Sequence, residues 1–192
     1  IRLSLVGSEM CIRDRFETLV ELAQARQVAL DPLTCAMLLG HLADQSSHAA
    51  LRAQVAAFRS QHIHLREATY MQLLSTLSRC LAAEAAVSMT LGLSGNVVSL
   101  QSPGVGACIQ AMKALVEWWL AGPSVSESNV RAFFKPLATW RYAKFAAAQA
   151  CARELAPLFL AHQPHPLSES TRQLLARLTK TKSQSEHTKH NS

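Results

Sequence analysis

The sequence repeats a pattern of apolar residues at a step of 35 residues, and this repeat limits the folds that the chain can adopt. The aligned residues are Leu30 with Leu65, Thr34 with Thr69, Leu38 with Leu73, Leu42 with Leu77 and, in a third copy, Leu74 with Ile109. A step of this length is typical of stacked helical units, because every unit buries the same internal positions.

Each unit contains two apolar stripes at helical spacing. Leu38 and Leu42 lie four residues apart, residues 44–48 form a polar break, and Leu51 and Val55 resume the stripe. This spacing predicts two short amphipathic helices. Because two such helices cannot bury their apolar faces alone, they must stack on neighbouring pairs. The sequence therefore predicts an all-α, right-handed solenoid (an α-α superhelix of helix-turn-helix repeats) with about four helical pairs.

The repeat divides the chain into regions of different regularity. Residues 16–104 carry the regular repeats, residues 105–178 carry degenerate ones, and residues 179–192 form a basic tail that we expect to be disordered. In the degenerate region, Gly122-Pro123 predicts the end of a helix. Two capping signals, Ser126-Glu127 and Ser168-Glu169, predict helix starts 42 residues apart.

The first 15 residues, IRLSLVGSEMCIRDR, resemble a peptide that arises when sequencing-adapter DNA is translated. We expect residues 1–15 to be a non-native artefact. On this interpretation the native sequence begins near Phe16, inside a helix.

Two segments, residues 25–42 and 59–77, resemble the junction between pentatricopeptide repeats. In that family a short basic-polar stretch and a turn precede a Thr-Tyr pair that opens the next first helix. The matching features are Asp31-Pro32 at the turn, and Thr34-Cys35 and Thr69-Tyr70 at the helix openings. The tetratricopeptide family, which has a step of 34 residues, remains the alternative.

The resemblance implies binding of single-stranded RNA at about one base per repeat, in organellar, chiefly mitochondrial, RNA metabolism or translation. It places Ala36 and Met71 at base-facing positions, paired with Arg66 and Gln101. Alanine and methionine cannot form hydrogen bonds with a base edge, which favours a generic or structural RNA contact. A structural protein of an organellar ribosome or other ribonucleoprotein, and a peptide-binding adaptor, remain the alternatives.

The positive charge of the chain lies in its last third, where residues 130–192 carry ten basic and three acidic residues. Within this region, residues 135–145 alternate basic and aromatic side chains. The candidates for RNA contact are Lys135, Trp140, Arg141, Tyr142 and Lys144. Basic groups can neutralise phosphates while aromatic faces accept stacked bases. In a helix, however, some of these aromatic residues must pack in the core.

No sequence motif indicates catalysis, a metal or a cofactor. Glycine-rich phosphate loops and metalloprotease or hydrolase signatures are absent. The His62-Ile63-His64 group lacks a carboxylate or thiolate to complete a metal site, and the five cysteines contain no C-x-x-C pair. No apolar run reaches the roughly 18 residues that span a bilayer. We therefore expect a non-enzyme without a membrane partner.

Overall fold

The computed structural model describes residues 30–90, 103–123, 125–139, 146–162 and 167–179, together with Thr18, Leu22, Ala25 and Arg26. The described elements with defined bounds are all helices, and no strand occurs among these residues. The helices are α1 (Pro32–Asp44), α2 (His48–Ser60), α3 (Glu67–Thr90), α4 (Pro103–Leu120), α5 (Glu127–Thr139), α6 (Ala146–Ala161) and α7 (Glu169–Thr179). The all-α prediction is confirmed.

The first helical pair forms where the sequence predicts it. The Asp31 carboxylate caps α1 by accepting hydrogen bonds from the backbone N–H groups of Leu33 at 2.9 Å and Thr34 at 3.1 Å. Pro32 occupies the first turn, where its missing N–H leaves no carbonyl unsatisfied. This capped turn explains why α1 begins at Pro32.

The polar break between α1 and α2 is shorter than residues 44–48. Helix α2 begins at His48, after a turn in which Ser46 adopts the left-handed conformation with φ of 54°. The His48 side chain is buried, and burial lowers its pKa. The sequence predicts His48 in the polar break, because a histidine between two apolar stripes is typical of a solvated turn.

Helices α1 and α3 begin 35 residues apart, at Pro32 and Glu67. Cys35 and Tyr70 are each the fourth residue of their helix, and both are buried. The prediction that these two residues take equivalent places near two helix starts is confirmed.

The two-helix unit does not recur after the start of α3, although α4 begins at Pro103, 36 residues after Glu67. A step of 35 places the next break at residues 79–83, yet α3 continues through them to Thr90. The segment Arg-Cys-Leu-Ala-Ala lacks the capping residues of the first break and consists mostly of helix-forming residues. As a result Ile109, which the third copy aligned with Leu74 of α3, lies instead in α4, a helix that packs against α2 and α3.

The later helix starts agree with the capping signals. Helix α5 begins at Glu127 and α7 at Glu169, directly after Ser126 and Ser168, and α4 ends before Gly122-Pro123. Pro136 and Pro157 are residues that usually kink a helix or stand at its first turn. Both lie inside helices, α5 and α6, where each removes one backbone hydrogen bond without ending the helix.

The helices pack as two rows of alternate elements. The odd row contains α1, α3, α5 and α7, each in contact with the next, and the even row contains α2, α4 and α6. Contacts between the rows join α1 to α2, α3 to α4, α5 to α6 and α6 to α7, and α3 also contacts α6. Most contacts therefore connect elements that are close in the sequence.

A connected series of aromatic rings joins the two rows. Trp118 packs at 5.3 Å from Tyr70 and at 6.4 Å from Phe58, between ring centroids. Trp119 stacks on Tyr70 at 6.2 Å and meets Phe159 edge-on at 5.5 Å. These two adjacent tryptophans point about 100° apart on α4. Both are buried, because α4 is packed against α2 and α3 as well as α6.

Three cysteines are fully buried, as small apolar residues at these helical positions should be. The Cys108 thiol donates to the Leu77 carbonyl at 3.3 Å, and burial raises its pKa to about 12. Burial also raises the pKa of Cys35 to about 11, and that of Cys151 in the same direction. A thiol with so high a pKa is a poor nucleophile, which fits a packing role.

We predict that Tyr70→Phe leaves the free energy of unfolding unchanged or increases it. The Tyr70 hydroxyl is buried and makes no hydrogen bond of good geometry within the described residues, and such a group costs about 1 to 3 kcal/mol. Phenylalanine keeps the ring contacts with both tryptophans. Tyr70→Ala, which removes those contacts, should destabilise the chain by about 3 to 5 kcal/mol. Urea unfolding of both variants measures the difference, and a large loss for Tyr70→Phe would contradict the proposed packing.

Candidate nucleic-acid interface

The odd-row helices present solvent-exposed residues at repeating positions. Leu33 and Met37 of α1 are exposed, as are Ala68 and Gln72 of α3, which lie one 35-residue step later. Counted from the first residue of each helix, Ser128 and Ala132 of α5 take the same places and are also exposed. These residues define the odd-row face, the exposed surface of the odd-row helices.

The predicted base-facing position is the fifth residue of each odd-row helix. Ala36 and Met71 hold this position in α1 and α3, and both are partly buried against the core. In α5 and α7 the fifth residues are Arg131 and Gln173, which are exposed. The position therefore changes along the row from apolar side chains to polar ones that can form hydrogen bonds.

Sequence comparison missed Arg131 and Gln173 because the 35-residue step does not extend to α5. The signals that could have found them are the Ser126-Glu127 and Ser168-Glu169 caps, which set the first residue of each helix. The Arg131 guanidinium donates to the Ser170 hydroxyl at 3.4 Å, and the Gln173 amide donates to the Glu169 carboxylate at 3.0 Å.

The exposed side chains become basic toward the carboxyl end of the odd row. Helix α1 carries no Lys or Arg, α3 presents Arg79, and α5 presents Arg131 and Lys135. Arg177, the ninth residue of α7, holds the place that Lys135 holds in α5. The sequence placed excess positive charge in the last third of the chain, and the structure brings part of it onto the odd-row face.

A cleft of about 320 Å³ lies between α3 and α5. Met71, Ser75 and Arg79 line it from α3, and Phe133 and Pro136 line it from α5. The cleft thus joins one predicted base-facing residue to a guanidinium, two apolar side chains and a hydroxyl. Such a mixture suits a planar apolar group attached to an anion.

A series of carboxylates holds the starts of α3, α5 and α7 side by side. Glu67, the first residue of α3, accepts a hydrogen bond from the backbone N–H of Ser126 at 2.5 Å. Glu127, the first residue of α5, accepts one from the backbone N–H of Ser168 at 3.0 Å. In α3 and in α5, the carboxylate of the first residue therefore accepts a hydrogen bond from the N-cap residue of the next odd-row helix.

Among the described residues, Glu127 accepts more of these hydrogen bonds than Glu67 does. Its carboxylate also accepts hydrogen bonds from the hydroxyls of Ser168 and Thr171. These hydrogen bonds lower the pKa of Glu127 to about 2. A charged carboxylate is in addition favoured near the amino ends of two helices.

The remaining predicted site residues are divided between described and undescribed parts of the chain. Arg66 is exposed and directly precedes α3, and Lys135 is exposed on α5. Gln101, Trp140, Arg141, Tyr142 and Lys144 lie outside the described residues. The structure therefore places Arg66 directly before α3, Met71 partly buried near the start of α3, and Lys135 on the exposed face of α5.

Among the described residues, no group of three or more His, Cys, Asp or Glu side chains could hold a metal ion. None of the described helices combines the length and apolar character needed to span a bilayer.

Comparison with known proteins gives no relative for this chain. No family model, curated protein or solved structure matches it.

We predict that Glu127→Gln removes a pH-dependent part of the stability. The pKa of Glu127 is lower in the folded chain than the value of about 4.3 in an unfolded one. Its contribution is therefore present above that value and is lost as the pH falls toward 2. The difference in unfolding free energy between the parent and Glu127→Gln should shrink from pH 6 to pH 3.

Glu169→Gln is the matched control, because Glu169 holds the same place in α7 and its hydrogen bond within the described part of the chain is to Gln173 of its own helix. At pH 6 Glu169→Gln should lower the free energy of unfolding less than Glu127→Gln does, because only the Glu127 carboxylate is hydrogen-bonded to another helix among the described residues. A pH-independent effect of Glu127→Gln in urea titrations would show that the carboxylate does not hold α5 to α7.

Proposed function

We propose that this chain is a right-handed α-helical solenoid of the pentatricopeptide type that binds single-stranded RNA on its odd-row face. On this proposal it has no catalytic role, and it acts in mitochondrial RNA metabolism or translation. The observation that carries the RNA proposal is the set of exposed basic side chains on α3, α5 and α7, together with the cleft between α3 and α5 that Arg79 lines.

The solenoid part of the proposal is supported by the order of helix contacts. Each odd-row helix packs on the next, and so does each even-row helix, as expected when similar pairs are stacked in sequence order. The hydrogen bonds from Glu67 and Glu127 to the next N-cap residues keep the starts of three odd-row helices at one edge. This alignment gives a continuous surface along which an extended polymer can lie.

The RNA part of the proposal is supported by the chemistry of that surface. Arg79 can neutralise a phosphate at the mouth of the cleft, and Met71 and Phe133 offer apolar contact to a base. Arg131 and Gln173 supply hydrogen-bond donors where Ala36 and Met71 have none. We expect base selection at α5 and α7. We expect the contact at α1 and α3 to be independent of the RNA sequence.

A second candidate function is supported by the amino-terminal end of the odd-row face. Leu33 and Met37 are 65% and 56% exposed, an unusual exposure for two large apolar side chains that lie one helical turn apart. This favours a protein contact, either within a ribonucleoprotein such as an organellar ribosome or with a peptide. Such a contact should depend weakly on salt, whereas phosphate binding weakens steeply with it.

We predict that changing Arg79, Lys135 and Arg177 together to Gln weakens binding to unrelated single-stranded RNAs by similar factors. Each phosphate contact contributes about 0.7 to the slope of log affinity against log salt, so three lost contacts should reduce it by about 2. All three side chains are exposed, so folding stability should change little. Fluorescence anisotropy with labelled oligouridylate at several salt concentrations measures the slope.

The control replaces three exposed arginines of the even row, Arg52, Arg59 and Arg153, by Gln. This variant has the same net charge as the test variant. An equal loss of affinity in both variants would mean that only net charge attracts RNA. An unchanged slope in the odd-row variant would exclude the odd-row face as the binding surface.

A further inference from the structure

The even row carries an open groove that the RNA proposal does not use. It lies between α2 and α4, has a volume of about 710 Å³, and is lined mostly by small apolar side chains. Ala49, Ala53 and Ala56 of α2 face Ala114 of α4 across it. Because alanines leave the space between two helices unfilled, the backbone of another helix can approach the floor closely.

The length of the groove suits a short helix. Its α2 side extends from Ala49 to Ser60, which corresponds to about 17 Å, or three helical turns, at 1.5 Å per residue. The alanines recur four and three residues apart, which places them in a single stripe along α2. A helix of about 12 residues could cover this stripe with one of its own faces.

The rim of the groove is positively charged on the α2 side. Arg52 and Arg59 lie seven residues apart and therefore point in similar directions from α2. Arg59 is 3.9 Å from Glu117 of α4, a long and solvent-exposed ion pair. Arg52 has no ion-pair partner within the described part of the chain. The rim is therefore able to accept carboxylates from outside.

We propose that the groove between α2 and α4 binds an amphipathic helix of a protein partner. The partner helix presents small or aliphatic side chains to the alanine floor and two acidic residues, seven apart, to Arg52 and Arg59. This is a helix-in-groove contact, in which apolar burial provides affinity and the charges set orientation. The surface is separate from the odd-row face, so the chain can hold a protein and an RNA at once.

The proposal is tested by selecting from a displayed library of 14-residue helical peptides against the full chain. Peptides that also bind Ala53→Glu, which places a carboxylate in the groove floor, are removed by counter-selection. The enriched peptides should carry Asp or Glu at two positions seven apart, with Ala, Leu or Ile between them. Failure to enrich any peptide, or enrichment of Lys and Arg at those positions, would overturn the proposal.

One enriched peptide, synthesised with a fluorescent label, then provides the affinity measurement. The double variant with Arg52→Glu and Arg59→Glu should bind this peptide at least tenfold more weakly than the parent chain does. Changing both acidic residues of the peptide to Lys should restore its binding to the double variant. Ala50→Glu is the matched control, because Ala50 is exposed on α2 but does not line the groove. Ala50→Glu should leave the affinity unchanged. Equal losses with Ala50→Glu and Ala53→Glu, or displacement of the peptide by oligouridylate, would overturn the proposal.

Discussion

The burial of Trp118 and Trp119 in neighbouring positions of α4 is the constraint on which the arrangement of helices depends. Two adjacent residues of a helix point about 100° apart, so burying both requires other helices on two sides of α4. Phe58 and Tyr70 cover one side from α2 and α3, and Phe159 covers the other from α6. The indole N–H of Trp118 donates to the Ile63 carbonyl at 3.0 Å, which also fixes the connection between α2 and α3.

The two proposed surfaces follow from this packing. With α4 enclosed, alternate helices align in two rows, and each row has one side in contact with the core and one side in solvent. The carboxylates of Glu67 and Glu127 then bring the odd-row starts to one edge, which places Arg131 of α5 beside Ser170 of α7. On the even row, the alanines of α2 leave the groove beside α4 open. One surface is suited to a polyanion and the other to an acidic helix.

The helical class, the first pair and several later helix starts could be predicted from the sequence, because they depend on local signals. These signals set a helix start or end within a few residues of their own positions, as at Asp31-Pro32, Gly122-Pro123 and Ser168-Glu169. The length of α3 could not be predicted from the repeat, since residues 79–83 simply lack a break. The burial of both tryptophans and the position of Arg131 on the odd-row face could not be predicted from the repeat either. Those features depend on which helices meet in space, and the 35-residue step gives that information only as far as the start of α3.

The central claim, that RNA lies along the odd-row face, is tested most directly by photocrosslinking. The full chain would be irradiated with a single-stranded oligonucleotide containing 4-thiouridine, and the crosslinked peptides identified by mass spectrometry. The account predicts crosslinks in α3 and α5, concentrated on residues that line their cleft, such as Met71 and Phe133. Crosslinks confined to α2 and α4, or none at saturating RNA, would contradict it.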